Sequence, residues 1–295
     1  MNNSQIVKEI KDVAIEDVYK EWSLIKGLTG EEIQNINGRS RLGCSLIDYY
    51  FFEHRLETIG NKGINFFTFV DNIEFYKTKK YIQTLLTYCE NNNRYKDSAI
   101  KKYYYFYGLC FGRINAFKIT NALQIYNIYK PIVAVLDPFC GFGGRLVGAM
   151  LKNINYIGID LNTDLEPSYK KLLADFSDKT DAKIDLIFKD ANTIDYSKFK
   201  YDMVFTSPPY ENIEIYKHME RKSVEEWSIF YKQVFQKLWD NLDSSNQGTY
   251  IININENIYN KILQPLFGPA LETILLKKSS KNNYKEYIYI WKKVN

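Results

Sequence analysis

The chain has 295 residues, 45% hydrophobic and 25% charged, enough to bury a sizeable core and ordinary for a globular protein. No run of about 18 apolar residues occurs, which excludes a spanning helix, and the polar, acid-bearing start is unlike a signal or transit peptide, so an intracellular, cytoplasmic setting is expected. Net charge is only +4, and the basic excess is confined to residues 1–130, which hold 18 Lys+Arg against 14 Asp+Glu. Cys44, Cys89, Cys110 and Cys140 are scattered without a CxxC pair, and His54 and His218 are the only histidines. That pattern argues against a zinc site, a disulfide framework and a Ser-His-Asp or Cys-His mechanism, and no metal is expected.

Residues 1–115 read as a mainly helical N-terminal domain. Ile6, Ile10, Val13 and Ala14 recur at helical spacing, as do Ile82, Leu85, Leu86 and Cys89, and Asn91-Asn92-Asn93 predicts a turn. Arg94, Lys96, Lys101, Lys102 and Arg113 face one acid, Asp97, in a stretch that also holds five consecutive aromatics at 103–107. Basic residues interleaved with aromatics suit a nucleic acid, which offers phosphates to pair and bases to stack. A helix with an aromatic core side and solvated lysines accounts for the same residues.

From residue 116 the pattern predicts a second domain, 116–295. Strand-like runs at 133–139, 155–161, 184–190, 201–209 and 248–256 alternate with helical runs, including 165–176 and 223–242. Such alternation predicts an α/β fold, a doubly wound and mostly parallel sheet with helices on both faces. Runs at 271–278 and 284–293, joined by SSKNN, predict an antiparallel terminal hairpin at one edge, for seven strands in all.

Ligands of such sheets bind outside the carboxyl ends of the strands. The first end carries Asp137, Pro138, Phe139, Cys140, Gly141, Phe142, Gly143, Gly144 and Arg145. Leu146 stands where a dinucleotide fingerprint needs its third glycine, and the Lys-Ser/Thr of a P-loop is missing. An acid before the glycines favours a cationic or hydroxyl-rich ligand over a pyrophosphate. The second end carries Asp160 and Leu161, where a carboxylate can accept from both ribose hydroxyls, and the third Asp190 and Ala191, where one can accept from an adenine amino group. Together these acids describe an adenosine bearing a zwitterionic tail.

The fourth end carries Thr206, Ser207, Pro208, Pro209 and Tyr210. Two prolines force a stiff, extended exit from the strand. The Ser207 hydroxyl and the Pro208 carbonyl can then both accept from one NH2 group, leaving its lone pair free to attack a methyl group. Tyr210 offers a flat face on which a base can stack. Glu211, Glu214, Tyr216 and His218 follow on a polar segment placed to close over a base, and His218 itself reads as a surface residue.

Residues 137–143 with 206–210 resemble the S-adenosylmethionine-dependent amino-methyltransferase family, which acts on cytosine N4 or adenine N6 of DNA, in a form similar to phage and large-virus members. The resemblance covers about residues 113–295 and implies a Rossmann-like methyltransferase fold, with S-adenosylmethionine as cofactor. Ser207-Pro208-Pro209-Tyr210 looks like the catalytic motif in the form more typical of cytosine-N4 enzymes. By resemblance Asp160 matches the ribose-binding acid and Asp190 the adenine-binding one, and Phe117 and Lys118 lie in the segment that contacts the methionine end. Two features depart from the family: Phe142 and Gly144-Arg145 replace commoner Ser/Gly and Thr, and no C-terminal recognition domain follows the hairpin. Recognition would then fall to residues 1–115, with DNA favoured over RNA and no membrane partner. RNA bases and the amide of a protein glutamine present the same planar NH2 and remain open as substrates. A non-catalytic nucleic-acid-binding module is the further alternative.

Overall fold

Along each strand after residue 134, side chains alternate between two apolar faces. The computed structural model describes residues 1–245, 247–278 and 285–294. Seven strands form one sheet: β1 (Val135–Asp137), β2 (Tyr156–Asp160), β3 (Ile184–Phe188), β4 (Met203–Thr206), β5 (Gly248–Asn255), β6 (Glu272–Lys278) and β7 (Lys285–Lys293). Their order is β3-β2-β1-β4-β5-β7-β6, with β1 to β5 parallel and β7 antiparallel to both β5 and β6. The doubly wound sheet and antiparallel terminal pair expected from the sequence are therefore present. The linker at 279–283 lies outside the described residues. Because winding reverses between β1 and β4, the loops leaving these two strands diverge and open a crevice between them.

Helices are α1 (Asn3–Ile10), α2 (Ile15–Lys26), α3 (Gly30–Gln34), α4 (Cys44–Glu57), α5 (Phe66–Asp71), α6 (Ile73–Lys77), α7 (Lys80–Asn91), α8 (Ala99–Cys110), α9 (Ile119–Tyr129), α10 (Gly144–Leu151), α11 (Glu166–Phe176) and α12 (Val224–Asn241). On one sheet face Leu136, Val204, Tyr250 and Ile252 pack on Trp227, Tyr231, Val234, Phe235 and Leu238 of α12. A capping box of Ser223 and Glu226 starts that helix. On the other face Val135, Tyr156, Met203, Phe205 and Ile251 pack with residues of α9, α10 and α11.

The division at 115/116 does not follow the cores. Val18, Trp22 and Ile25 of α2 and Leu46, Ile47, Tyr50 and Phe51 of α4 belong to the same apolar cluster as α9 to α11 and the sheet. A separate cluster joins α1, α5, α7 and α8 to Phe52 and Leu56 on α4. Thus α4 faces both ways, and the first helices complete one layer of the sheet.

Trp22 stacks on Phe176 with ring centroids 4.2 Å apart, and Tyr19 and Tyr50 meet Phe176 edge-on. Phe176→Ala is expected to cost about 3–5 kcal/mol, the range for a buried Phe truncation. Denaturant unfolding followed by tryptophan fluorescence and by far-UV circular dichroism should shift together, since the helical region and sheet share this core.

Candidate functional site

The loop leaving β1 is built around a buried charge. Asp137 is fully buried, and Arg145 on α10 grips it with Nε donating to Oδ2 at 2.6 Å and a second nitrogen donating to Oδ1 at 3.3 Å. Thr206 Oγ1, at the end of β4, donates to Oδ1 at 2.7 Å, and the Tyr156 hydroxyl of β2 donates to Oδ2. Burial alone would lower the Arg145 pKa, but Asp137 and the Tyr156 phenol beside it push it upward, so the guanidinium stays charged. Asp137 does not line the cavity described below. Its lone pairs are committed to tying β1, β2, β4 and α10 together.

Gly143 likewise lies off the cavity. It caps α10 in the left-handed region at φ +76°, and a Cβ there would sit 3.0 Å from the Phe51 ring. At Gly144 a Cβ would lie 1.9 Å from the Phe117 carbonyl oxygen, so the segment before α9 closes directly over this loop. The Phe117 ring meets Phe205 edge-on at 5.5 Å and lies under the Arg145 guanidinium at 5.1 Å. Lys118 turns its ammonium to the Gly38 and Ser40 carbonyls, bracing the α3–α4 loop.

A cavity of about 1290 Å³ runs over these strand ends. Phe117, Lys118, Pro138, Phe139, Cys140 and Gly141 line it, as do Asp160, Leu161, Asp190 and Ala191 and all of Ser207, Pro208, Pro209 and Tyr210. Asp160 Oδ2 accepts from the Gly141 N–H at 2.7 Å and Oδ1 from the Asn162 N–H at 2.9 Å, which leaves a lone pair on each oxygen. Burial outweighs these bonds and pushes its pKa up to about 6. Asp190 Oδ1 accepts from the Asn192 N–H at 2.8 Å. Cys140 is buried, and burial pushes its thiol upward, so it packs and does not react.

At the end of β4, the Ser207 hydroxyl lies 3.1 Å from both the Tyr210 hydroxyl and Asn253 Oδ1. Tyr210 is held in turn by Asn253 Oδ1 at 3.1 Å and Glu286 Oε1 at 2.9 Å. The Pro209 carbonyl accepts from Tyr231 at 2.6 Å, whereas the Pro208 carbonyl has no hydrogen-bond partner among the described residues. Asn253 and Glu286, which also line the cavity, escaped the sequence reading. The signal for Asn253 was a polar residue inside the apolar run 250–254, on the same face as Ile251.

Residues 211–222 form a strap over this region. Ile215 and Ile59 exchange backbone hydrogen bonds at 2.8 and 3.1 Å, and Lys217 pairs with Glu57 at 3.2 Å and Asp164 at 2.9 Å. The Tyr216 hydroxyl donates to Glu214, while the Glu211 N–H donates to Tyr231 at 2.8 Å. His218, half exposed, sits 3.1 Å from Asp164.

The five basic residues expected to contact nucleic acid are spread along α8 and its flanks. Arg94, Lys96, Lys101 and Lys102 lie around the start of α8, and Arg113 follows its other end but folds its guanidinium back along the helix to Tyr104. Only Arg113 lines the cavity, with its guanidinium 4.2 Å from the Tyr104 ring. Phe106 and Tyr107 of the aromatic run are core residues.

No protein-family model and no curated protein matches the chain. Among solved structures, TrmN from Thermus thermophilus is similar at 14% identity over 60% of this chain and 49% of its own, with a TM-score of 0.43. The chain thus spans about half the length of TrmN. Magnesium protoporphyrin IX methyltransferase from Synechocystis, with bound SAM, is similar at 14% identity over 59% of this chain and 77% of its own, with a TM-score of 0.43. An rRNA methylase from Streptococcus thermophilus is similar at 13% identity over 55% and 87%, with a TM-score of 0.40. At these values the likenesses bear on neither the substrate nor the cofactor of this chain.

The Asp137 network makes a stability prediction. Arg145→Met strands a buried carboxylate and should cost about 3–5 kcal/mol, whereas Asp137→Leu combined with Arg145→Met should cost less than Arg145→Met alone. Urea unfolding of the three proteins checks this.

Proposed function

We propose that the chain transfers a methyl group from S-adenosylmethionine to the exocyclic amino group of a nucleic-acid base, with cytosine N4 of DNA as the first reading. The observation that carries it is the meeting, in one cavity, of two acidic strand ends, Asp160 and Asp190, with the two acceptors Ser207 Oγ and the Pro208 carbonyl. The acids suit an adenosine: Asp160 keeps one lone pair per oxygen for ribose hydroxyls, and Asp190 keeps an oxygen for an amino group. S-adenosylmethionine supplies an activated methyl group on a sulfonium, so the chain needs no nucleophile of its own.

What the residues do is position. Ser207 and Pro208 hold the two hydrogens of an NH2, and the Tyr210 ring, anchored through its hydroxyl, stacks on the base. Fixing two reactants in attack geometry contributes roughly 7–11 kcal/mol to a rate. Swinging a base out of a duplex costs a few kcal/mol and less in single strands, and the stacking face offsets part of it. Ser207 before the prolines favours cytosine N4 over adenine N6, and the resemblance over 113–295 favours DNA over RNA.

Methyl-labelled cofactor offered with DNA, RNA and protein pools, followed by nucleoside and peptide mass spectrometry, tests the reading. Label should enter N4-methylcytosine or N6-methyladenine of DNA. Tyr210→Ala should lower transfer roughly 10- to 100-fold, matching the loss of a stacking contact worth about 1–3 kcal/mol. Label only in RNA or in protein glutamine would replace the substrate, and absence of cofactor binding would refute the activity.

Asp160 adds a pH prediction. Its carboxyl keeps a proton up to about 6 in the folded chain, while an unfolded Asp releases one near about 3.9. Its contribution to stability therefore falls as pH rises across that window. Cofactor affinity moves the other way, because ribose needs the ionised acceptor. Calorimetric titration between about pH 5 and about pH 8 should show affinity falling below about 6. Asp160→Asn should weaken binding and abolish the step.

A further inference from the structure

We infer that Asn253 and Glu286 fix the Ser207 hydroxyl as a hydrogen-bond acceptor, so that the site selects an amino group over an oxo group; this deepens the methyl-transfer reading and rests on it. The sheet register creates the arrangement. Phe205 pairs with Ile251 across β4 and β5, and the same register continued two residues sets Ser207 opposite Asn253. Across β5 and β7, Asn253 pairs with Ile288, two residues from Glu286, which places both polar side chains on one face. Asn253 Nδ2 donates to the Tyr287 carbonyl at 3.0 Å, and this orients Oδ1 toward the two hydroxyls.

Proton accounting then decides what Ser207 can offer. Ser207 and Tyr210 bring one hydroxyl proton each. Tyr210 donates to Glu286 Oε1 at 2.9 Å, and a carboxylate only accepts. Ser207 is left to donate to Asn253 Oδ1 or to the Tyr210 oxygen, both at 3.1 Å and both inside the network. Either choice turns its proton away from the cavity and leaves an oxygen lone pair for the ligand. Next to it stands the Pro208 carbonyl, another acceptor. An NH2 satisfies both, whereas an oxo group would set oxygen against oxygen. A site built around a specific hydrogen-bonding pattern rejects the analogue that lacks it far more strongly than an apolar pocket rejects a change of size.

Asn253 and Glu286 are positioning residues, and their test reads base discrimination by binding. The protein, saturated with S-adenosylhomocysteine, is titrated calorimetrically with short single-stranded oligonucleotides that differ at one base, cytosine against uracil and adenine against hypoxanthine. The wild type should bind at least one amino member roughly tenfold or more tighter than its oxo partner. Asn253→Leu takes away one of the two acceptors of the Ser207 proton and leaves the Tyr210 oxygen, and Glu286→Leu sends the Tyr210 proton to Asn253 in competition with Ser207; both should shrink the ratio to about threefold or less, with S-adenosylhomocysteine affinity unchanged. Asn253→Asp loses the donation to the Tyr287 carbonyl but keeps an acceptor toward the two hydroxyls and should keep more of the ratio than Leu, whereas a purely structural role predicts that a buried charge would do more harm than Leu. A ratio retained in both Leu variants, or lost in Asn253→Asp but kept in Asn253→Leu, overturns the inference alone. Equal binding of amino and oxo partners by the wild type, or binding of neither, overturns it together with the amino-group reading.

Discussion

The buried pair of Asp137 and Arg145 is the constraint on which the site depends. A carboxylate taken fully out of water is tolerated only when its lone pairs are used and its charge is met. Here the donors come from three other elements: the guanidinium from α10, the phenol of Tyr156 from β2 and the hydroxyl of Thr206 from β4. The pair thereby fixes where β1 and β4 end relative to each other, and those ends carry the glycine loop and the Ser207 motif. Arg145 also donates to the Phe139 carbonyl at 2.6 Å, which holds the loop itself in place.

Tight contacts around that loop explain why the first helices cannot be treated as an appendage. The Phe117 carbonyl fills the space a Cβ would need at Gly144, and the Phe51 ring crowds Gly143. Tyr169 of α11 donates to the Gly141 carbonyl at 2.7 Å while its ring packs edge-on against Phe51. A residue of α4 therefore packs on both sides of the ligand-facing turn. The strap from 211 to 222 crosses in the opposite sense, joined to the helical region at Ile59 and Glu57 and to the loop after β2 at Asp164.

The strands and their acidic ends were legible because each is an apolar run of strand length that stops at Asp137, Asp160, Asp190 or Ser207. Direction of burial was not legible from such runs. Asp137 and Asp160 look alike in sequence, yet one is spent on an arginine eight residues away and the other faces the cavity. Arg145 read as a departure from a family pattern, when it is the partner that lets Asp137 be buried. The basic residues from 94 to 113 were legible as a run, but not that Arg113 would line the cavity with its guanidinium laid against Tyr104. Helical periodicity in the first 115 residues marked Ile6 and Ile82 as lying on apolar helix faces, but periodicity does not say against what such faces pack. Asn253 and Glu286 are 33 residues apart in number, and the pairing of β5 with β4 on one side and β7 on the other brings them to Ser207 and Tyr210.

The polar groups of the cavity divide by sign, and the division bears on its ligands. Asp160, Asp190, Ser207, Asn253 and Glu286 are half-buried or buried, and each can present an accepting oxygen. The cations along the same cavity are diverted or more exposed. Arg145 is neutralised by Asp137, Lys118 is tied to backbone carbonyls, and Lys217 is paired with Glu57 and Asp164. Arg113 and Lys222 lie over aromatic rings, Arg113 exposed and Lys222 partly so. Deeply placed acceptors favour ligands that bring donors or positive charge, such as hydroxyls, amines or a sulfonium. They disfavour a phosphate in the same place, since like charges in a poorly hydrated site repel strongly. Phosphates of a nucleic acid would instead meet Arg113 and Lys222, outside the acceptor wall, while only a base edge and an uncharged or cationic cofactor reach it. Under the proposed reading, that partition separates binding of the polymer from positioning of the amino group.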